Sequence, residues 1–189
     1  NLQHVEVIFE DSRSELWIGT HGGGLNRFDR ATQKFTHYRY DPEDSSSLAH
    51  DDVREIYEDH MGTVWIGTRG GGLNKFDPDT ETFFRYQHDP GNPRSLSDDN
   101  VGPIYEDRIG NLWVGTGGGG LNKLDRETGT FIRFRYDPND SKSLSHDHIR
   151  ALYEDRTGTL WIGTIGGGVS KYDPSQYQYK NVQLGVGAF

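Results

Sequence analysis

Residues 65–77 read Trp65-Ile66-Gly67-Thr68-Arg69-Gly70-Gly71-Gly72-Leu73-Asn74-Lys75-Phe76-Asp77, and the chain writes this stretch four times. Trp17, Trp65, Trp113 and Trp161 follow one another at intervals of 48 residues. A fixed period of that size marks stacked or radially arranged repeats. Four such units fill nearly all of the 189 residues. One repeat array, 1–189, is therefore expected, with units at approximately 1–48, 49–96, 97–144 and 145–189.

Working outward from that stretch, Val64–Thr68 is β-branched and aromatic enough for a strand, and Val53–Asp59 before it reads as another, with His60-Met61-Gly62 breaking the two apart. Glycines 70 to 72 permit a tight return, after which Leu73–Phe76 alternates apolar with polar as a third strand. Asp77-Pro78-Asp79-Thr80 is a turn by composition, and Phe83–His88 supplies a fourth strand. A polar loop, Asp89–Asn100, carries the chain to the next unit. No stretch shows helical periodicity. Four short strands per 40 to 50 residues describe the blade of a β-propeller. Val53, Ile56 and Tyr57 fall on both faces of their strand, as a sheet sandwiched between two neighbours requires. The fold expected is thus all-β, a propeller of four four-stranded antiparallel blades.

Composition narrows the partners. The formal charge is −9, so a nucleic acid would meet net repulsion, and no basic cluster offsets it. The absence of Cys removes disulfides, thiolate metal sites and a Cys nucleophile. No apolar run approaches the roughly 20 residues that span a bilayer. The terminal units differ from the inner ones. Ser14 stands where the others have Gly62, Gly110 and Gly158, and the fourth unit diverges after Pro174. Opening without Met directly into a repeat, the chain reads as a processed form or a piece excised from something longer.

Ile104-Tyr105-Glu106-Asp107, Gly110, Leu112-Trp113-Val114-Gly115-Thr116, Gly118-Gly119-Gly120-Leu121 and Asp125 together resemble the repeat of the two-component regulator propeller family. The resemblance covers essentially the whole chain. It implies a periplasmic or otherwise extracytoplasmic sensor of membrane-bound signalling receptors such as hybrid histidine kinases, often recognising carbohydrate. Family sensors look like seven-bladed rings, whereas four units are present here. The expected partner is a second identical chain completing an eight-bladed ring, or the flanking blades of a longer parent. An open array would otherwise leave an apolar blade face bare at each end.

Several constellations invite a chemical reading. The Gly-rich stretch lacks the Lys-Ser/Thr and the following helix of a phosphate cradle, so it is read as a hairpin turn. Neighbouring Glu and Asp, as in Glu58 and Asp59, point to opposite faces of a strand and cannot flank one bond. Asp11, Asp59, Asp107 and Asp155 are assigned instead to the turns that follow them. Trp17, Trp65, Trp113 and Trp161 are assigned to the core between blades rather than to sugar stacking. His146 and His148 face the same way in an extended chain, but two ligands do not make a metal site. Asp41, Asp44, Asp89, Asp137 and Asp140 are turn formers before they are Ca²⁺ ligands.

What varies inside the fixed frame points to a ligand surface. The residue after each Gly-Thr is His21, Arg69, Gly117 or Ile165, and Arg54 and Arg150 vary near the start of the first strand of their units. These six are the candidate ligand-binding residues. No catalytic residue, metal or cofactor is assigned. The expected function is non-catalytic binding of a glycan or small polar ligand, with a pure self-assembling scaffold and a polysaccharide-active enzyme as alternatives.

Overall fold

The computed structural model describes residues 4–173 and 178–182. Much of the stretch after Pro174, where the fourth unit diverges, lies outside the described residues. The first sheet comprises β1 (His4–Glu10), β2 (Leu16–His21), β3 (Gly24–Asp29) and β4 (Lys34–Tyr38). The second holds β5 (Val53–Glu58), β6 (Val64–Thr68), β7 (Gly72–Asp77) and β8 (Thr82–Tyr86). The third is β9 (Val101–Glu106), β10 (Leu112–Thr116), β11 (Leu121–Asp125) and β12 (Thr130–Phe134), and the fourth β13 (Ile149–Glu154), β14 (Leu160–Thr164), β15 (Gly168–Asp173) and β16 (Gln178–Val182). Each is an antiparallel meander in sequence order, as expected of a propeller blade.

The core lies between blades rather than within one. Trp17, Leu25 and Tyr38 of the first blade pack on Val53, Ile56, Ile66 and Phe76 of the second. Trp65, Leu73 and Val101 meet at the next interface, and Trp113, Leu121 and Ile149 at the third. Both faces of an inner blade are therefore apolar. The interface is close because β2, β6 and β10 offer a glycine to the neighbouring strand. A Cβ on Gly67 would stand 2.7 Å from Val101 Cγ1, and one on Gly115 2.7 Å from Ile149 Cγ2.

The repeated Asp holds two parts of the blade at once. Asp59 Oδ1 accepts the N–H of Met61 and Thr63, closing the turn, while Oδ2 accepts Trp65 Nε1–H at 2.8 Å. The same Asp–Trp bond recurs at Asp11, Asp107 and Asp155. Burial pushes the Asp59 carboxyl up, but hydrogen bonds from Trp65, Arg126 and Thr63 outweigh it and hold the group below its usual range. The turn so formed needs a left-handed residue, and Ser14 adopts φ 63 where the other blades place Gly62, Gly110 and Gly158.

The adjacent Glu ties one blade to the one before it. Glu58 accepts the Ser12 N–H and hydroxyl, both at 2.7 Å. Glu106 receives His60 through its N–H and ring, and Glu154 accepts the Arg108 N–H with Arg108 Nε 2.7 Å away.

The connecting loops are laced down as well. Leu48, Leu96 and Leu144 are fully buried, and Asn74 Oδ1 accepts the Ala49 N–H. Ser46 O accepts the N–H of Phe83 on the outer strand β8, and the Arg85 guanidinium donates to Ser47 O and Asp44 O. Arg133 repeats this on Ser95 O and Asn92 O. The loop acids close their own turns: Asp44 Oδ1 accepts Ser46 N–H, Asp89 Oδ1 accepts Gly91 N–H, and Asp41, Asp137 and Asp140 act alike.

Candidate ligand-binding site

Each inner strand carries an irregularity that sequence periodicity does not reveal. The ladder breaks register between Val5 and Val7, between Val53 and Glu55, and between Ile149 and Ala151. In β9, Gly102 and Pro103 together oppose Gly115. The extra residue of a bulge is unpaired and its side chain is re-aimed, which is why bulges gather at functional rims. Here the bulged positions are Glu6, Arg54, Gly102 and Arg150, and all four border one cavity of about 570 Å³ between the inner strands.

Arg69 and Gly117 reach the same cavity from the ends of β6 and β10. Their placement follows from the backbone, since Arg69 N–H donates to Asp52 O and Gly117 N–H to Asn100 O. Thr68 and Thr116 fix the same corner through hydroxyl bonds to Gly72 O and Gly120 O, each 2.9 Å. The glycines beyond allow close approach: a Cβ on Gly71 would stand 2.8 Å from the Ala49 carbonyl carbon. The Gly-rich stretch is a hairpin turn, as its sequence suggests, and packs against the loop that enters its own blade.

Of the six candidate residues, Arg54, Arg69, Gly117 and Arg150 line the cavity. His21 stands beside it, its Nδ1 2.9 Å from Asp52 Oδ2. Ile165 is exposed at the end of β14 and outside the lining. The three arginines differ in their freedom. Arg54 is committed to Asp52, with Nε 2.9 Å from Oδ1, and to Glu6 Oε2 at 3.1 Å. Arg69 and Arg150 are exposed and have no side-chain hydrogen bond or ion pair among the described residues. Glu55, also in the lining, is not among the six candidates. Burial pushes its carboxyl up to about 7, against the opposing charge of Arg150. The signal that marks it is a carboxylate at the position where the other units have Val7, Pro103 and Ala151.

No three potential metal-ligating side chains gather among the described residues. His146 Nδ1 accepts the His148 N–H, a local turn contact.

Four meandering sheets packed face to face around an axial polar cavity define a β-propeller array. The family model described as "Two component regulator propeller" matches residues 47–70, 95–118 and 143–166. Its fold is that of the extracellular domain described as belonging to the hybrid two component system BT3049 of B. thetaiotaomicron, with 30% identity and a TM-score of 0.82 over 96% of this chain and 25% of that one. The extracellular domain of the one component system BT4673 from the same organism shows 26% identity and a TM-score of 0.78, over 95% of this chain and 25% of that one. The chain thus spans a quarter of the length of these two structures. Virginiamycin B lyase from Staphylococcus aureus, at 15% identity and a TM-score of 0.68 over 95% of this chain and 55% of that one, shares the fold alone. The chain matches no curated protein sequence. Among the described residues no helix is long and apolar enough to cross a membrane.

Proposed function

We propose that the chain is part of the extracytoplasmic sensor of a signalling receptor, and that its axial cavity binds a glycan carrying a carboxylate or another small polar anion without turning it over. The observation that carries this reading is the pair of guanidinium groups without a hydrogen bond or ion pair among the described residues, Arg69 and Arg150, at the rim of a cavity already large enough for a small ligand. A planar guanidinium matches a carboxylate through two parallel hydrogen bonds. Arg54, neutralised by Asp52 and Glu6, positions the wall instead. Repeats of a two-component regulator family and likeness to extracellular domains of signalling systems support the sensor setting. Signalling requires that the ligand favour one arrangement of the array over another.

Titration calorimetry against neutral and uronate-bearing oligosaccharides is the direct test. An acidic ligand should bind, and Arg69→Ala should weaken it at least tenfold without altering the fold. Equal binding of neutral and acidic ligands, or indifference to the loss of Arg69, would refute the reading.

One observation favours a polysaccharide-active enzyme as the second reading. Glu55, protonated up to about 7, stands in the cavity as a general acid could. Release of new reducing or unsaturated ends from an acidic polysaccharide, abolished by Glu55→Gln, would replace the sensor by the enzyme.

A further inference from the structure

Each seam between blades closes over a glycine of the second strand, and the residue that follows the bulge of the inner strand lies beside it. Over Gly19 that residue is Val7 and over Gly115 it is Pro103, each meeting the side chain that enters from the next blade, Val53 or Ile149. Gly67 is covered by Val101 of the next blade in the same way, but the residue of its own blade is Glu55, whose Cβ lies 3.3 Å from where a Cβ on Gly67 would stand. Apolar side chains fill this place at the other two seams. A carboxyl sunk between two blades loses hydration, and Glu55 has no hydrogen bond or ion pair among the described residues to replace it. A half-buried acid left without a partner by its own fold marks a place of function rather than of packing.

Glu55 lines the axial cavity together with Arg69 and Arg150. The other ionisable groups there are Glu6 from β1, Arg54 from its own strand and His148 just before β13, while β9 contributes only uncharged residues to the lining. Glu6 and Arg54 neutralise each other at 3.1 Å, and Arg54 is paired with Asp52 as well. Arg69, Arg150 and His148 are left to attract an anion, and Glu55 to act on it. Ionised, Glu55 repels a carboxylate and draws on the charge of Arg150. Protonated, it becomes an O–H donor and leaves both guanidinium groups to the ligand. Burial favours the protonated form up to about 7, against the charge of Arg150.

We propose that Glu55 is a third ligand-contacting group of this cavity: its protonated carboxyl donates a hydrogen bond to the anion held by Arg69 and Arg150, and loss of that proton releases the anion. The inference rests on the anion-binding reading and adds a proton to it. Binding to the ionised form takes one proton from solvent onto Glu55, so the site responds to acid and ligand together. Above about 7 the affinity falls with the protonated fraction, about tenfold for each pH unit.

Calorimetry with oligogalacturonate, whose carboxylates stay ionised throughout, tests this at about pH 6 and about pH 8.5. The native chain should bind about thirtyfold more weakly at the higher pH, and its binding heat there should shift between buffers of different ionisation enthalpy by about one proton per ligand. Glu55→Gln keeps a donor and has no proton to lose, so it should bind with one affinity at both pH values and take up no proton. Glu55→Ala should also lose the pH dependence but bind weakly at both. His148→Gln should keep the dependence, which separates the two titrating groups of the cavity. Strong native binding that is equal at the two pH values, a dependence that survives Glu55→Gln or vanishes in His148→Gln, or equal affinities of Glu55→Ala and Glu55→Gln would overturn the proposal and leave the anion-binding reading standing. No binding at either pH overturns both.

Discussion

Glu55 is the residue at which environment most changes chemistry. Its neighbours on the inner strand are the bulged Arg54, turned toward Asp52 and Glu6, and across the cavity stands Arg150. The unfolded carboxyl ionises near its ordinary 4.5, whereas the folded one keeps its proton up to about 7. Between those two values the folded state holds the extra proton, so stability falls as pH rises through this window. The loss amounts to about 3 kcal/mol at most, at roughly 1.4 kcal/mol for each pH unit crossed. Urea unfolding at a series of pH values should show that decline in the native chain, and Glu55→Gln should remove it; a native profile flat between pH 4.5 and 7 would contradict the burial of the acid. Residues with fixed roles are legible in the sequence because four units repeat them. The Asp turn and the interfacial Trp follow from residue type and position. Their hydrogen bond to one another does not, since a six-residue separation across a turn carries no periodic signal. Glu58, Glu106 and Glu154 read in the sequence as mere neighbours of Asp, because their partners lie 46 residues earlier.

At the scale of the element, strand order and turn chemistry are readable from alternation and Gly placement, but the bulges are not. Arg54 and Arg150 stand out in the sequence only as variable positions, and the register break that aims them inward depends on how the inner strand meets the second one. Ile165, equivalent in sequence to Arg69, falls outside the cavity lining. The glycine of each second strand makes a quantitative test of blade packing. In Gly67→Ala the new Cβ must find room 2.7 Å from Val101 Cγ1. Overpacking of this kind costs about 1–3 kcal/mol. A denaturant midpoint lowered accordingly is expected for Gly67→Ala, and no comparable change for Gly163→Ala, where a Cβ would meet nothing nearer than Ala151 Cβ at 3.4 Å. Equal losses at both sites would mean that the glycines serve the strand and not the interface.

For the whole molecule, the internal period shows a propeller but not a closed one, since a repeat count does not say what covers the terminal faces. One further property follows from the way the loops are fastened. Because Arg85 and Arg133 stitch each incoming segment to the outer strand, and buried Leu48 and Leu96 pin its far end, the first three blades have no slack between them to act as a hinge. Those three blades are consequently expected to tilt as one stiff arc rather than flex at the seams between them.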